Sequence, residues 1–185
     1  MQLLPHLRRA LAALALLAVA CAPASSAPGG PGSMAGPAPA PTAPVYLNPP
    51  SVPQLPGFSS GVKVGLTIWV AGQVAVDSAG AIVGGTDVTA QLRQALANVV
   101  AVVRAGRGVP GDVVRLTVYH VAESDSAVAD GLRTAAADWF APGEYPAVTL
   151  VAVERLPMPG LLVAVDAVAG LRSLLPDRQR DRGAR

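Results

Sequence analysis

An α+β domain, with two helices on one face of a sheet in the order ββ-α-β-α-ββ, is the fold that this sequence predicts. Three observations carry it. Two runs between Thr89 and Phe140 keep apolar residues at three- and four-residue spacing, the period of a helix. The stretches before, between and after them are rich in Val, Thr and Tyr and alternate as strands do. Gly and Pro clusters punctuate the joints.

In chain order, Val62–Val64 and Thr67–Val76 read as strands about a Gly65-Leu66 turn, with Gly72 interrupting the second. Ser78-Ala79-Gly80 closes a further turn. Thr89–Ala105 is helical, with Leu92, Leu96, Val99, Val100 and Val103 on one face. Gly106, Gly108, Pro110 and Gly111 end it. Val113–Val121 is a third long strand. Ser124 caps a second helix running to Phe140, with Val128, Leu132, Ala135 and Trp139 inward. Tyr145–Ala169 reads as two strands joined at Met158-Pro159-Gly160, a closing hairpin.

The ends differ from the middle. Residues 1–21 place Arg8 and Arg9 before an apolar run, Ala10 to Ala20, the layout of an export signal. That run is short of the ~20 apolar residues that span a bilayer. Cys21 is the only cysteine, so no disulfide forms within the chain and the domain has no catalytic thiol. With Ala18-Val19-Ala20 before it, Cys21 resembles the lipidated cysteine of a bacterial lipobox, although leucine is usual where Ala18 stands. The same segment also reads as an ordinary signal cleaved nearby, for example after Ala27. Residues 22–56 are dominated by Pro, Ala, Gly and Ser and read as a disordered spacer, within which Val45-Tyr46-Leu47 has the make-up of a short strand. The folded unit is then 57–170, followed by a disordered arginine-rich tail at 171–185.

Charge excludes one class of partner. Residues 22–170 carry seven basic against ten acidic side chains, a balance of −3, so there is no basic face for a phosphate backbone. Nucleic acid is not an expected partner.

Several short motifs stand in register along 57–170: Gly72-Gln73 after a strand; Gln91 and Asn98 seven residues apart on a helix; Gly111-Asp112-Val113-Val114 with Thr117-Val118-Tyr119; Glu154-Arg155-Leu156-Pro157; and Val165-Asp166-Ala167-Val168-Ala169. Together they resemble the RidA (YjgF/L-PSP) family. The resemblance implies a chorismate-mutase-like subunit, a homotrimer, and three clefts between neighbouring subunits. Its enzymes hydrolyse reactive enamines and imines such as 2-aminoacrylate. An arginine grips the substrate carboxylate, a task that suits its bidentate fork, and a glutamate on the last strand helps position water.

Carried over by this resemblance, the site loses its chemistry. Val148 stands for the arginine, Leu150 for a frequent cysteine and Ala164 for the glutamate; Phe58 replaces a tyrosine and Ala71 a serine. Gly72 and Gln73 remain. The expected ligand-binding set is therefore Phe58, Gly72, Gln73, Val148, Leu150 and Ala164, with no residue in a catalytic role and no metal or cofactor. Arg155 falls on the opposite strand face from Val148 by alternation, and His120 reads as a strand-end or satisfied core residue. Three functions follow: a non-catalytic binder of a small neutral ligand, a divergent imine deaminase, or a ribonuclease. The acidic domain, which lacks a histidine pair, makes the last the poorest.

The N-terminal reading has a direct check. Cys21→Ser is expected to move the protein from the membrane fraction to the soluble one. A wild-type chain already soluble and unacylated removes the lipid anchor.

Overall fold

A computed structural model of the chain describes residues 42–121 and 124–172. The signal segment with Cys21, the spacer up to residue 41 and the tail beyond Arg172 lie outside them. One mixed sheet organises the domain. Its strands are β1 (Val45–Leu47), β2 (Gly61–Val64), β3 (Thr67–Val74), β4 (Val113–His120), β5 (Ala147–Ala152) and β6 (Val163–Gly170), in the order β1-β2-β3-β6-β4-β5. Every neighbouring pair is antiparallel except β4 and β5, which run parallel. Two helices, α1 (Val88–Ala105) and α2 (Asp125–Ala136), bury their apolar faces in one core with Ile68 and Val70 of β3, Leu116 and Val118 of β4, and Val163, Val165 and Ala167 of β6.

Local chemistry explains most boundaries. The β2–β3 turn is tight, pairing Val64 with Thr67, and Gly65 takes it at φ +58°, where a Cβ is disfavoured. The register of β3 against β6 shifts between Val70 and Gln73, so Ala71-Gly72 forms an irregularity rather than a strand end. Asp87 caps α1, its Oδ1 accepting from the backbone N–H of Thr89 at 2.8 Å and of Ala90 at 3.1 Å. Ser124 caps α2 through the N–H of Ala127. The second helix stops at Ala136, short of the expected Phe140. The chain then closes in tight turns that bury Phe140 and half-bury Trp139 beneath the Arg104 guanidinium.

Two expectations are corrected. Residues 42–56 are not wholly spacer: β1 pairs with β2, and Leu47 and Val52 lie in the core, so the folded body begins before residue 57. The last two strands also form no hairpin, because β4 lies between them. Residues 153–162 carry the chain across the end of β4, held by Val153 N–H to His120 O (2.9 Å) and Val121 N–H to Leu162 O (3.0 Å). Alternation records which face a side chain takes but not which strand lies alongside.

Two buried amides on α1 hold this arrangement. Gln91 is wholly buried; its Nε2 donates to Gly85 O (2.6 Å) and Gly160 O (2.8 Å), and its Oε1 accepts from Leu162 N–H (2.8 Å). Two turns on, on the same face, Asn98 Nδ2 donates to Val74 O (3.0 Å) and Val76 O (2.9 Å). Gln91→Leu keeps the volume and strands three backbone groups. A loss of about 3 kcal/mol or more is expected, since each buried unsatisfied group costs about 1–3 kcal/mol. Urea unfolding should show the midpoint fall at unchanged slope; a loss below about 1 kcal/mol means the bonds contribute little.

Candidate functional site

Three surfaces carry the six residues expected to bind a ligand, and no single one carries them all. The first is a cavity of about 400 Å³ between the β1–β2 loop, the irregularity in β3 and the β5–β6 crossover. Phe58, Gly72 and Gln73 line it with Leu55, Ser60 and Met158. A Leu55 O to Phe58 N–H bond of 3.1 Å turns the loop, and Asn48 Oδ1 anchors its far end on the N–H of Ser60 at 2.8 Å. The turn leaves the Phe58 ring 77% exposed and Leu55 68% exposed, an apolar wall with no core duty. A side chain added at Gly72 meets nothing within 4 Å, so the glycine leaves that wall open. Gln73 is buried, its Nε2 donating to Ala71 O (2.9 Å) and Ser60 O (3.3 Å).

Val148 and Leu150 line a second cavity, of about 360 Å³, between β5 and α2. They pair with Leu116 and Val118, both core residues, and so face the helices. Ala129, Leu132 and Tyr145 complete an apolar lining in which Arg133 is the one charged side chain. Its Nη1 lies 2.9 Å from Asp130 Oδ1, and both side chains are mostly exposed, a surface pair of small energy.

Ala164 reaches neither cavity. It pairs with Val74 and Tyr119 and faces the opposite, helix-free side of the sheet with Asp166 two residues on. There Tyr119 Oη donates to Asp166 Oδ2 at 3.1 Å. This bond and the carboxylate charge push the Tyr119 phenol above its ordinary pKa. Trp69, Arg115, Tyr119 and Asp166 surround a polar depression of about 460 Å³ on this face.

The six expected residues therefore do not share one cleft within a single chain. Between β3 and β5 lie β6 and β4, and three strand spacings amount to about 14 Å. A ligand spanning both cavities is out of reach of a single subunit.

One residue differs from its sequence reading, and another had none. His120 is 1% exposed, at the end of β4, and neither ring nitrogen has a hydrogen bond among the described residues. Its Nε2 is 3.1 Å from Asp125 Oδ1, close enough for an ion pair but not aligned for a hydrogen bond. Arg133 escaped notice because the α2 pattern picks out the inward stripe of Val128, Leu132 and Ala135. Its signal is its place one turn from Ala129 and Ala136, on the flank turned toward β5. Arg155 is exposed in the crossover. Among the described residues, no group of three His, Cys, Asp or Glu side chains is placed to hold a metal.

A two-helix layer on a six-stranded mixed sheet, with apolar cavities beside β3 and β5, defines a class of small α+β subunit. A profile described as Endoribonuclease L-PSP matches residues 51–171. A RutC family protein of Pyrococcus horikoshii is 34% identical over 113 residues, covering 60% of this chain and 85% of that protein. A 2-iminobutanoate/2-iminopropanoate deaminase of Salmonella typhimurium is 34% identical over 115 residues, with coverage of 60% and 85%. The crystal structure of the YjgF gene product of E. coli superposes with a TM-score of 0.61 at 30% identity, covering 69% of this chain and 99% of that one. The chain belongs to the RidA/YjgF/L-PSP family.

Proposed function

We propose that this protein is an exported family member that binds a small neutral ligand in clefts between the subunits of a homotrimer, without the deaminase chemistry of its relatives. One observation carries the reading: Val148, at the position that the resemblance gives to a carboxylate-gripping arginine, is part of an apolar cavity wall. No charged side chain among the described residues lines the Phe58 cavity, whereas the Val148 cavity holds Arg133. Ala164, in the glutamate's place, offers no group to hold water. Export rests on the signal-like residues 1–21 and anchoring on Cys21.

Assembly is supported by the helix-free face, where Trp69 is 49% exposed beside Arg115, Tyr119 and Asp166. A second chain bringing its Phe58 edge against the Val148 edge of the first completes a cleft that one subunit leaves in halves. Light scattering of the purified chain is expected to give three times the monomer mass; a clean monomer rules the assembly out.

The alternative is a divergent enamine/imine deaminase, and one observation favours it: Arg133 shares the cavity of Val148 and keeps guanidinium N–H groups beyond its bond to Asp130. Turnover of 2-aminoacrylate generated in situ by a dehydratase separates the two. Losing a charged hydrogen bond costs about 1.5–3 kcal/mol, and a bidentate pair roughly a hundredfold or more in binding. The expected rate is that of the buffer control. A rate clearly above it sinks the non-catalytic reading, and its loss in Arg133→Ala then identifies the replacement cation.

A further inference from the structure

The buried amide of Gln73 fixes the polarity of the Phe58 cavity. Both ends of a glutamine look alike to a shape argument, but its partners here do not. Nε2 lies against two backbone carbonyls, Ala71 O at 2.9 Å and Ser60 O at 3.3 Å, which can only accept. The NH₂ group is thereby committed to the protein. Oε1 is left over: it has no partner among the described residues, yet it is not sealed away as the His120 ring nitrogens are. Asn98, the other amide lining the cavity, is differently placed. Its Nδ2 donates to Val74 O and Val76 O, and its Oδ1 accepts from Gln94 Nε2 at 3.1 Å. The unspent amide group of this cavity is thus an acceptor on a residue only 6% exposed.

We infer that the cavity selects small apolar molecules bearing an N–H or O–H donor, and rejects carboxylates and groups that only accept. A donor on the ligand satisfies Oε1. An acceptor leaves it buried against another set of lone pairs, and a carboxylate adds a charge that no side chain of the lining neutralises. The apolar part of the ligand packs on Phe58, Leu55 and Met158, whose side chains are 77%, 68% and 40% exposed without it. The serine hydroxyls either donate or accept, so they do not set the preference. This inference rests on reading the cavity as a ligand site and adds the chemical class of what enters.

Four probes of one size test it on the full-length chain in its native assembly: benzamide, benzyl alcohol, acetophenone and benzoate, titrated by calorimetry. Benzamide and benzyl alcohol are expected to bind, with acetophenone and benzoate weaker by roughly tenfold or more. Benzoate or acetophenone binding as tightly as benzamide overturns the inference, and so does a failure of all four to bind. Gln73→Met keeps the volume and is expected to abolish the difference between benzamide and acetophenone. Because Gln73 also ties Ala71 to Ser60, Phe58→Ala serves as the second variant, since its exposed ring has no core contact to lose. It should weaken benzamide and benzyl alcohol together and leave their ratio unchanged. Unaltered binding in both variants places the probes elsewhere and overturns the inference. Imine turnover by the wild type sinks the non-catalytic reading without touching the donor preference, whereas tight benzoate binding sinks the donor preference alone.

Discussion

Gln91 and Asn98 are the constraint on which the rest of the fold depends. A sheet in which β6 is threaded between β3 and β4 needs two long loops, and loops expose backbone groups that must be paired where they pass over the core. Gln91 spends all three of its bonds on this, tying the loop before α1 to both ends of the turn around Gly160–Leu162. Asn98 does the same for the carbonyls at the end of β3. Both sit on one helix face, so a single rigid element positions the two loops that border the Phe58 cavity. Burying two neutral amides is tolerable because every donor faces a carbonyl.

The strands, both helices and the Ser124 cap were legible in the sequence, since alternation, three- and four-residue spacing and a serine before an apolar run are local signals; Asp87, equally local, went unread as the cap of α1. Strand order was not. The last two strands read as a hairpin because nothing in residues 145–169 says that β4 intervenes; that follows from the parallel pairing of Leu116 with Val148, a contact between distant segments. The same gap separated the expected ligand residues. Val148, Leu150 and Ala164 alternate correctly along their own strands, yet the first two face the helices and the third the open side. The Tyr119–Asp166 bond was invisible for the same reason, being diagonal across a strand pair that the sequence did not announce. The pairing of Gln91 with Asn98 was visible as spacing, but its purpose emerged only once the crossover was placed.

The residues that hold the fold and those that face the cavities overlap only in part, with Asn98 and Leu116 serving both. Gln91, Asn98 and the Leu116–Val118 stretch are buried and bonded, and changing them disturbs loops and core together. Phe58 and Val148 are 77% and 45% exposed, and Gly72 stands with nothing around the space a side chain would fill. Substitution at these positions changes what the surface can recognise and leaves the packing intact. Val148 accordingly stands on β5 in an apolar cavity wall without a share in the core. An apolar side chain in that partly buried wall carries no desolvation penalty, so Val148 costs the fold nothing. In the Phe58 cavity Gln73, Asn98 and two serines are the polar side chains of the wall, and none of those described carries a charge.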